Sequence, residues 1–202
     1  MVAQASAAAL APGFADPVLD AQGVFRAVME ALARPGTPQA LPVSLAPPAP
    51  LTPAIAAIAL TLADHEAPLW LDARLAASAA AAGWLRFHTG ARIVEDARAA
   101  AFALIVDPAD LPAFDAFALG EQAYPDRSTT LVLACDQLEA ESGFTLAGPG
   151  IRETARLAAA PLPPDFRARW RANGALFPRG VDLLLTAGDR VVGLPRTTEI
   201  RE

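Results

Sequence analysis

The run Ala101-Phe102-Ala103-Leu104-Ile105-Val106 decides the fold, because six apolar residues follow one another without a polar break. A strand with one buried face alternates apolar and polar residues, whereas a continuous apolar run indicates a strand that is covered on both faces. Asp107-Pro108 comes directly after the run and ends it. The sequence therefore predicts an inner strand of a sheet that lies between two layers.

Further strands are predicted on both sides of this run. Residues 129–135 form a second apolar run of the same kind. The other short apolar segments predicted as strands are 68–72, 84–87, 143–147, 181–185 and 191–194. Ala187-Gly188-Asp189 joins the last two segments and predicts a hairpin, in which the strands are antiparallel. The sheet is therefore expected to be mixed rather than purely parallel.

Helical segments alternate with these strands. Asp16-Pro17 predicts the start of the first helix, because Asp is a favoured N-cap and Pro fits the first turn. Residues repeating at helical spacing then form its apolar face: Val18, Ala21, Phe25, Val28 and Leu32. Arg34-Pro35-Gly36 ends this helix. Further helices are predicted to begin at Thr52-Pro53 and to cover residues 75–82, 111–117 and 164–173.

Helices that alternate with short apolar strands are typical of the α/β class. We therefore predict a three-layer α/β/α sandwich around a mixed β-sheet. No internal repeat or linker divides the chain, so residues 14–202 are expected to form a single domain. Residues 1–13 are rich in alanine and lack periodicity, which predicts a flexible N-terminus.

Composition excludes several classes of protein. The chain has 202 residues, 53% of them hydrophobic, but no apolar run reaches the ~20 residues that span a bilayer. The first basic residue is Arg26, so no secretory signal is expected and the protein is predicted to be soluble and cytoplasmic. A net charge of -6 without a basic run argues against nucleic-acid binding.

The reactive side chains are equally restrictive. All 16 basic residues are arginine, so no lysine can form a Schiff base with pyridoxal phosphate (PLP) or complete a P-loop. Cys135 is the single cysteine, so this chain alone cannot form a disulfide, a zinc knuckle or an Fe–S cluster. Its place in a strand predicts a buried, inert thiol. His65 and His88 are too few for a typical catalytic metal site, and no cofactor is predicted.

Four loops beside predicted strands combine glycine or proline with polar groups. Arginine suits phosphate or phosphonate oxygens, and strand-end loops of α/β sheets commonly bind ligands. The residues predicted to bind an anion or ligand are His88, Thr89, Arg152, Arg179, Asp182 and Arg196. A structural role is the alternative for each loop, since Gly and Pro are primarily turn residues and Arg179 could pair with Asp182.

Two other polar segments have open interpretations. Asp64-His65-Glu66 places carboxylates on both sides of a histidine, which suits proton transfer but is also typical of a solvated helix end. Tyr124-Pro125-Asp126-Arg127-Ser128 precedes a strand and is either a binding loop or a cap. Neither segment is a catalytic signature.

The ordered set of motifs resembles one family, the H subunit of the bacterial carbon–phosphorus lyase core complex. The resemblance extends from about Phe14 to Thr198. Its motifs are Phe14-x-x-Pro17, Gln22-x-x-Phe25-Arg26-x-x-Met29, Arg34-Pro35-Gly36, Leu62-x-Asp64, Pro68-x-Trp70, Phe87-His88-Thr89-Gly90, Gly148-Pro149-Gly150-Ile151, Phe177-Pro178-Arg179-Gly180-Val181-Asp182 and Pro195-Arg196-Thr197-Thr198.

This resemblance implies a fold similar to a reduced PLP-dependent transferase without the cofactor. It also implies partner subunits G, I and J, and a homodimer of the isolated protein. The family's assembly, with an L subunit, makes ribose 1-alkylphosphonate 5-triphosphate from ATP and a phosphonate, and the J subunit then cleaves the carbon–phosphorus bond at an Fe–S cluster. The implied role is structural or accessory, with no catalytic residue to carry over. The alternative is a stand-alone small-molecule enzyme or sensor that binds an anion through its arginine loops.

Overall fold

Strand β3, the stretch that decides the fold, lies inside a six-stranded sheet with the order β1-β8-β7-β4-β3-β2. The computed structural model describes residues 10–42 and 44–201. The strands are β1 (Gln39–Ala40), β2 (Leu69–Leu71), β3 (Phe102–Ile105), β4 (Thr130–Ala134), β5 (Gln137–Ala147), β6 (Ala155–Ala160), β7 (Asp182–Ala187), β8 (Arg190–Leu194) and β9 (Glu199–Arg201). The helices are α1 (Pro17–Ala33), α2 (Pro53–Leu62), α3 (Ala73–Ala76), α4 (Ala79–Thr89) and α5 (Phe166–Gly174). Within these ranges, no helix is long and apolar enough to cross a membrane.

The sheet is mixed, as the sequence predicts. Strands β2, β3, β4 and β7 are mutually parallel. Strand β8 returns antiparallel to β7 after the predicted turn, and β1 pairs antiparallel to β8. The parallel strands begin in register, since Leu69 lies beside Phe102, Phe102 beside Thr130, and Thr130 beside Asp182. The amino ends of these four strands therefore lie side by side, along one end of the sheet.

Both faces of the sheet are buried, because successive residues of each inner strand enter different cores. Leu184 of β7 lies in the core formed with α1, α2 and α4, whereas Leu183 and Leu185 lie in the other. The second core contains α5, short 3-10 turns and a three-stranded antiparallel sheet with the order β6-β5-β9. The predicted coverage of both faces is confirmed, but the second outer layer holds a small sheet as well as a helix.

The predicted strand at 84–87 is wrong, since these residues lie in helix α4 (Ala79–Thr89). The Ser78 hydroxyl accepts the Ala81 N–H at 3.3 Å and caps the start of this helix. Gly90 ends it in the left-handed conformation, with φ of 70°. A four-residue apolar run fits a helix as well as a strand, and here the caps decide.

Helix α1 begins and ends where the sequence predicts, but it turns another face to the sheet. Its buried residues are Val24, Ala27, Val28 and Ala31. Val18 and Phe25, which belong to the predicted apolar face, are 63% and 50% exposed. The small buried side chains let α1 approach β8 closely: a Cβ on Gly193 would lie 2.6 Å from the Ala31 carbonyl oxygen. Close packing on the small residues therefore selects the buried face.

Candidate functional site

Arg196, predicted to bind an anion, is surrounded by acceptors from its own chain. Its backbone N–H and Nε donate to Asp182 Oδ1 at 2.7 and 3.1 Å, and Nη2 donates to Asp182 Oδ2. Nη2 also donates to Ser128 Oγ at 2.5 Å, and Nη1 donates to the carbonyls of Pro125 and Pro178 at 3.1 and 3.2 Å. A guanidinium has five N–H donors, and each has an acceptor here. The side chain of Arg196 therefore ties loops together.

The position of this cluster also argues against a strand-end ligand site. Asp182 begins β7 at the same level as Thr130 in β4, so the Arg196–Asp182 pair lies at the amino ends of the parallel strands. Ligands of open α/β sheets bind at the carboxyl ends. The structural alternative is thus favoured for this loop, with the correction that Asp182 pairs with Arg196 instead of Arg179.

His88 and Thr89 are occupied by contacts at the end of α4. His88 Nε2 lies 3.0 Å from the Ala11 carbonyl oxygen, which also accepts the Trp84 indole N–H at 2.7 Å. Since a carbonyl only accepts, this contact requires the proton on Nε2. Thr89 Oγ1 donates to the Leu85 carbonyl at 2.7 Å. Both side chains therefore have structural roles, and His88 secures residue 11 of the predicted flexible N-terminus, whose residues 1–9 lie outside the described ranges.

The remaining candidates are Arg152 and Arg179, in loops that lie beside the connection after β8. Arg152 and Arg179 are exposed, and neither side chain forms a hydrogen bond or ion pair within the part of the chain that the structure describes. Of the six predicted residues, Arg196 and Asp182 are joined by side-chain contacts. Anion binding by these residues therefore stays a prediction.

The two polar segments with open interpretations also have structural contacts. Asp64 Oδ1 accepts the N–H groups of Glu66 and Ala67 at 2.8 and 3.1 Å, which forms a local turn after α2. In the 124–128 loop, the Arg127 guanidinium lies 4.1 Å from the centre of the Tyr124 ring. A solvated helix end is favoured for the first segment and a structural role for the second, because each contact is made with another group of this chain.

Asp72 is a buried carboxylate that was not among the candidates. Its Oδ1 accepts the Leu75 N–H at 2.8 Å and caps α3, while Oδ2 accepts the N–H groups of Val106 and Asp107 at 2.7 and 2.9 Å. The aspartate before an alanine-rich segment is an N-cap signal that could have found this residue. Its lone pairs are directed at backbone donors, so it fixes the ends of β2 and β3.

The α5–β9 cleft, between α5 and the segment that includes β9, is a cavity of about 580 Å³. The residues that define its chemistry are Trp170, Arg171, Phe177, Thr198, Ile200 and Arg201. Arg196 also lines it, but its other charged residues are not among the predicted site residues. These residues belong to two segments that are distant in the sequence, the end of α5 and strand β9, and only the fold brings the two segments together.

The chain matches the family model described as bacterial phosphonate metabolism protein (PhnH) over residues 12–201. The chain belongs to the PhnH family. The predicted family resemblance is thereby confirmed. A relative in Rhizobium meliloti (strain 1021) is 49% identical over 187 residues, 93% of either chain. Its name is alpha-D-ribose 1-methylphosphonate 5-triphosphate synthase subunit PhnH.

A shorter match covers part of the PhnH-family fold. HtxG of Stutzerimonas stutzeri, a proposed C-P lyase subunit, is 35% identical over 85 residues. This match covers 41% of the present chain and 42% of HtxG. Both relatives are thus named as subunits of larger enzymes.

Chemically reactive groups are scarce in this PhnH-family chain. Within residues 10–42 and 44–201, no group of three or more His, Cys, Asp or Glu side chains could hold a metal ion. Cys135 is buried, and burial, with a smaller contribution from the Asp136 charge, raises the pKa of its thiol to about 12. A thiol with such a pKa is protonated near neutral pH and is a poor nucleophile.

Proposed function

We propose that this chain is a subunit of the carbon–phosphorus lyase complex in alkylphosphonate catabolism. In this role it supports the formation of ribose 1-alkylphosphonate 5-triphosphate from ATP and a phosphonate. The observation that carries the proposal is the 49% identity, over 93% of the chain, to a protein named as a subunit of the corresponding 1-methylphosphonate synthase. Family membership over residues 12–201 supports the same pathway.

The contribution we propose is structural or accessory. Arg196, one of the residues predicted to bind an anion, has an internal acceptor for each guanidinium donor. Cys135 is held protonated by burial. These two observations support assembly, rather than a chemical step, as the main role of the chain. They also disfavour the alternative of a stand-alone enzyme or sensor that binds an anion through its strand-end arginine loops.

The partners we propose are the G, I and J subunits, and we propose a homodimer for the isolated chain. We also propose that the protein is cytoplasmic and that it has no cofactor of its own. A likeness to the PLP-dependent transferase fold is part of the same proposal, and the parallel strands of the mixed sheet support that likeness.

Helix α1 presents the surface on which we propose that partner subunits dock. Val18, Phe25 and Met29 follow one stripe of the helix and are 63%, 50% and 50% exposed, and Gln22 lies between them. Residues at these spacings share a helix face. The opposite stripe is buried against the sheet, so α1 is apolar on both sides. Exposed apolar stripes of this kind mark protein interfaces.

Co-purification tests the proposal. A tagged copy of the chain is expressed with the G, I and J subunits, beside the double variant Phe25→Glu, Met29→Glu. We expect a stoichiometric complex with the unchanged chain and loss of the partners with the double variant. Phe87→Glu is the matched control, because Phe87 is 67% exposed on a different helix. A folded chain that ignores all three partners would contradict the subunit role, and retention of partners by the double variant would contradict the α1 surface.

A further inference from the structure

The α5–β9 cleft takes no part in the subunit role proposed above, yet its walls combine several ligand-binding features. We infer that this cleft binds a phosphorylated small molecule of about nucleotide size. The inference rests on the proposed function only for the choice of ATP as the probe. The cleft itself lies within one chain and does not depend on assembly.

The size of the cleft fits such a ligand. Its volume of about 580 Å³ falls within the roughly 300–1,000 Å³ range of small-molecule sites. A free phosphate or a one-carbon phosphonate would leave much of this space empty. Phe177 at the rim is 63% exposed, so its ring offers a planar face to a base or another flat group. Ile200 adds apolar surface.

The charges that line the cleft are mainly positive, although the whole chain carries a net charge of -6. Arg171 of α5 and Arg201 of β9 both line the cleft, and Glu199 is the one acidic residue among the described residues of the lining. Arg201 Nε is 3.7 Å from Glu199 Oε2, and both side chains are more than half exposed. Such a loose ion pair is easily exchanged, and an arginine fork matches phosphate oxygens better.

Thr198 supplies an independent observation. Its residue is 2% exposed, and its Oγ1 is buried without a hydrogen-bond partner among the described residues. Folded proteins seldom leave a buried hydroxyl unsatisfied. Thr198 belongs to the lining of the cleft, and we assign to this hydroxyl, after rotation of the side chain towards the cleft, an oxygen of a bound ligand as its acceptor.

The walls of the cleft are held in place before any ligand arrives. The Trp170 indole N–H donates to the Thr198 carbonyl at 2.7 Å and joins α5 to the segment before β9. Strand β9 pairs with β5, where Ile200 lies beside Leu146. A site built on paired elements loses little conformational entropy on binding. The cleft is therefore formed in the free chain.

Calorimetric titration of the isolated full-length chain with ATP tests this inference. We expect saturable one-to-one binding that weakens by about tenfold in Thr198→Val, because the valine cannot donate a hydrogen bond to a charged oxygen. Arg201→Ala is expected to weaken binding at least as much. Arg190→Ala is the matched control, since Arg190 is an exposed strand residue outside the cleft, and its affinity should stay within about twofold of the unchanged chain.

Three outcomes would overturn the inference. The first is no binding of ATP at millimolar concentration by the folded chain. The second is an equal loss of affinity in the Arg190→Ala control. The third is binding of inorganic phosphate or of unphosphorylated adenosine as tightly as ATP. Co-purification of Thr198→Val with the partner subunits separates the two proposals. If the chain binds its partners but not ATP, the subunit role stands and the cleft inference fails. If it binds ATP but no partners, the cleft inference stands and the subunit role fails.

Discussion

Arg196 contacts Asp182 through its backbone as well as through its guanidinium. The backbone N–H and Nε share Asp182 Oδ1, while Nη2 takes Oδ2. The two side chains are 11% and 24% exposed. Because the remaining donors reach Ser128 and two proline carbonyls, one side chain joins the 124–128 loop, the start of β7 and the connection after β8.

Replacing this arginine should destabilise the fold. We expect Arg196→Ala to lower the free energy of unfolding by about 3 kcal/mol, because a largely buried carboxylate then lacks its partner. Urea denaturation measures the change. Arg201→Ala is the control, since its ion pair with Glu199 is exposed and should contribute less than about 0.5 kcal/mol. Equal effects of the two substitutions would contradict the assigned role of Arg196.

Much of the main sheet could be predicted from sequence, because burial on both faces leaves a direct signal. The runs 101–106 and 129–135 correspond to β3 and β4. Strand β6 was missed, since its sequence Ala-Arg-Leu-Ala-Ala-Ala has little β-propensity. It forms because β5 pairs with it over most of its length, which is a tertiary effect that local pattern does not record.

The candidate site was harder to predict for the same reason. Arg196 and Asp182 are found from sequence, but two further partners of Arg196, Pro125 and Ser128, lie about seventy residues away along the chain. The α5–β9 cleft likewise depends on α5 packing against β9. An arginine in a glycine- and proline-rich loop indicates a polar contact, but only the fold decides whether a ligand or the chain supplies it.

Two buried threonines should respond differently to replacement by valine. Thr129 Oγ1 donates to the Ala100 carbonyl at 2.8 Å and accepts the Ala118 N–H at 3.2 Å, so Thr129→Val should lower the free energy of unfolding by about 1–3 kcal/mol. Thr198 Oγ1 has no partner among the described residues, so Thr198→Val should leave stability unchanged or raise it slightly. Denaturation of both variants without ligand makes the comparison. A large loss in Thr198→Val would reveal an internal partner for its hydroxyl.

The pKa of Cys135 predicts a loss of stability at alkaline pH. Burial raises the pKa of this thiol in the folded chain to about 12, whereas an unfolded thiol titrates near pH 8.5. Above that pH the unfolded state releases the proton and the folded state retains it, so stability falls as pH rises towards about 12. The chain has no lysine and one tyrosine, which leaves few other groups titrating in this window.

Cys135→Ala should flatten this alkaline decline when unfolding is measured between about pH 8 and 11. A thiol-reactive aromatic disulfide gives a second measurement, since Cys135 should react slowly in the folded chain and rapidly in denaturant. Fast reaction of the folded chain at neutral pH would contradict a buried, protonated thiol.

Two glycines allow a paired test of packing. A Cβ at Gly193 would lie 2.6 Å from the Ala31 carbonyl oxygen of α1, so Gly193→Ala should cost about 2 kcal/mol through displacement of the helix. A Cβ at Gly83, inside α4, meets no described atom within 4 Å. Gly83→Ala should therefore raise stability by about 0.5–1 kcal/mol through helix propensity. Thermal denaturation of the two variants should shift in opposite directions.

The Ala11 carbonyl accepts hydrogen bonds from both Trp84 Nε1 and His88 Nε2, so His88 should control access to the segment before α1. We expect His88→Ala to speed chymotryptic cleavage after Phe14 several-fold. Phe14 is half-buried, and the variant loses one of the two hydrogen bonds that hold Ala11, three residues before it. Mass spectrometry of timed digests identifies the cut. His65→Ala should digest like the unchanged chain, since His65 is exposed. If His88→Ala also resisted cleavage, the Trp84 contact alone would be sufficient to hold the segment, and His88 would have no role there.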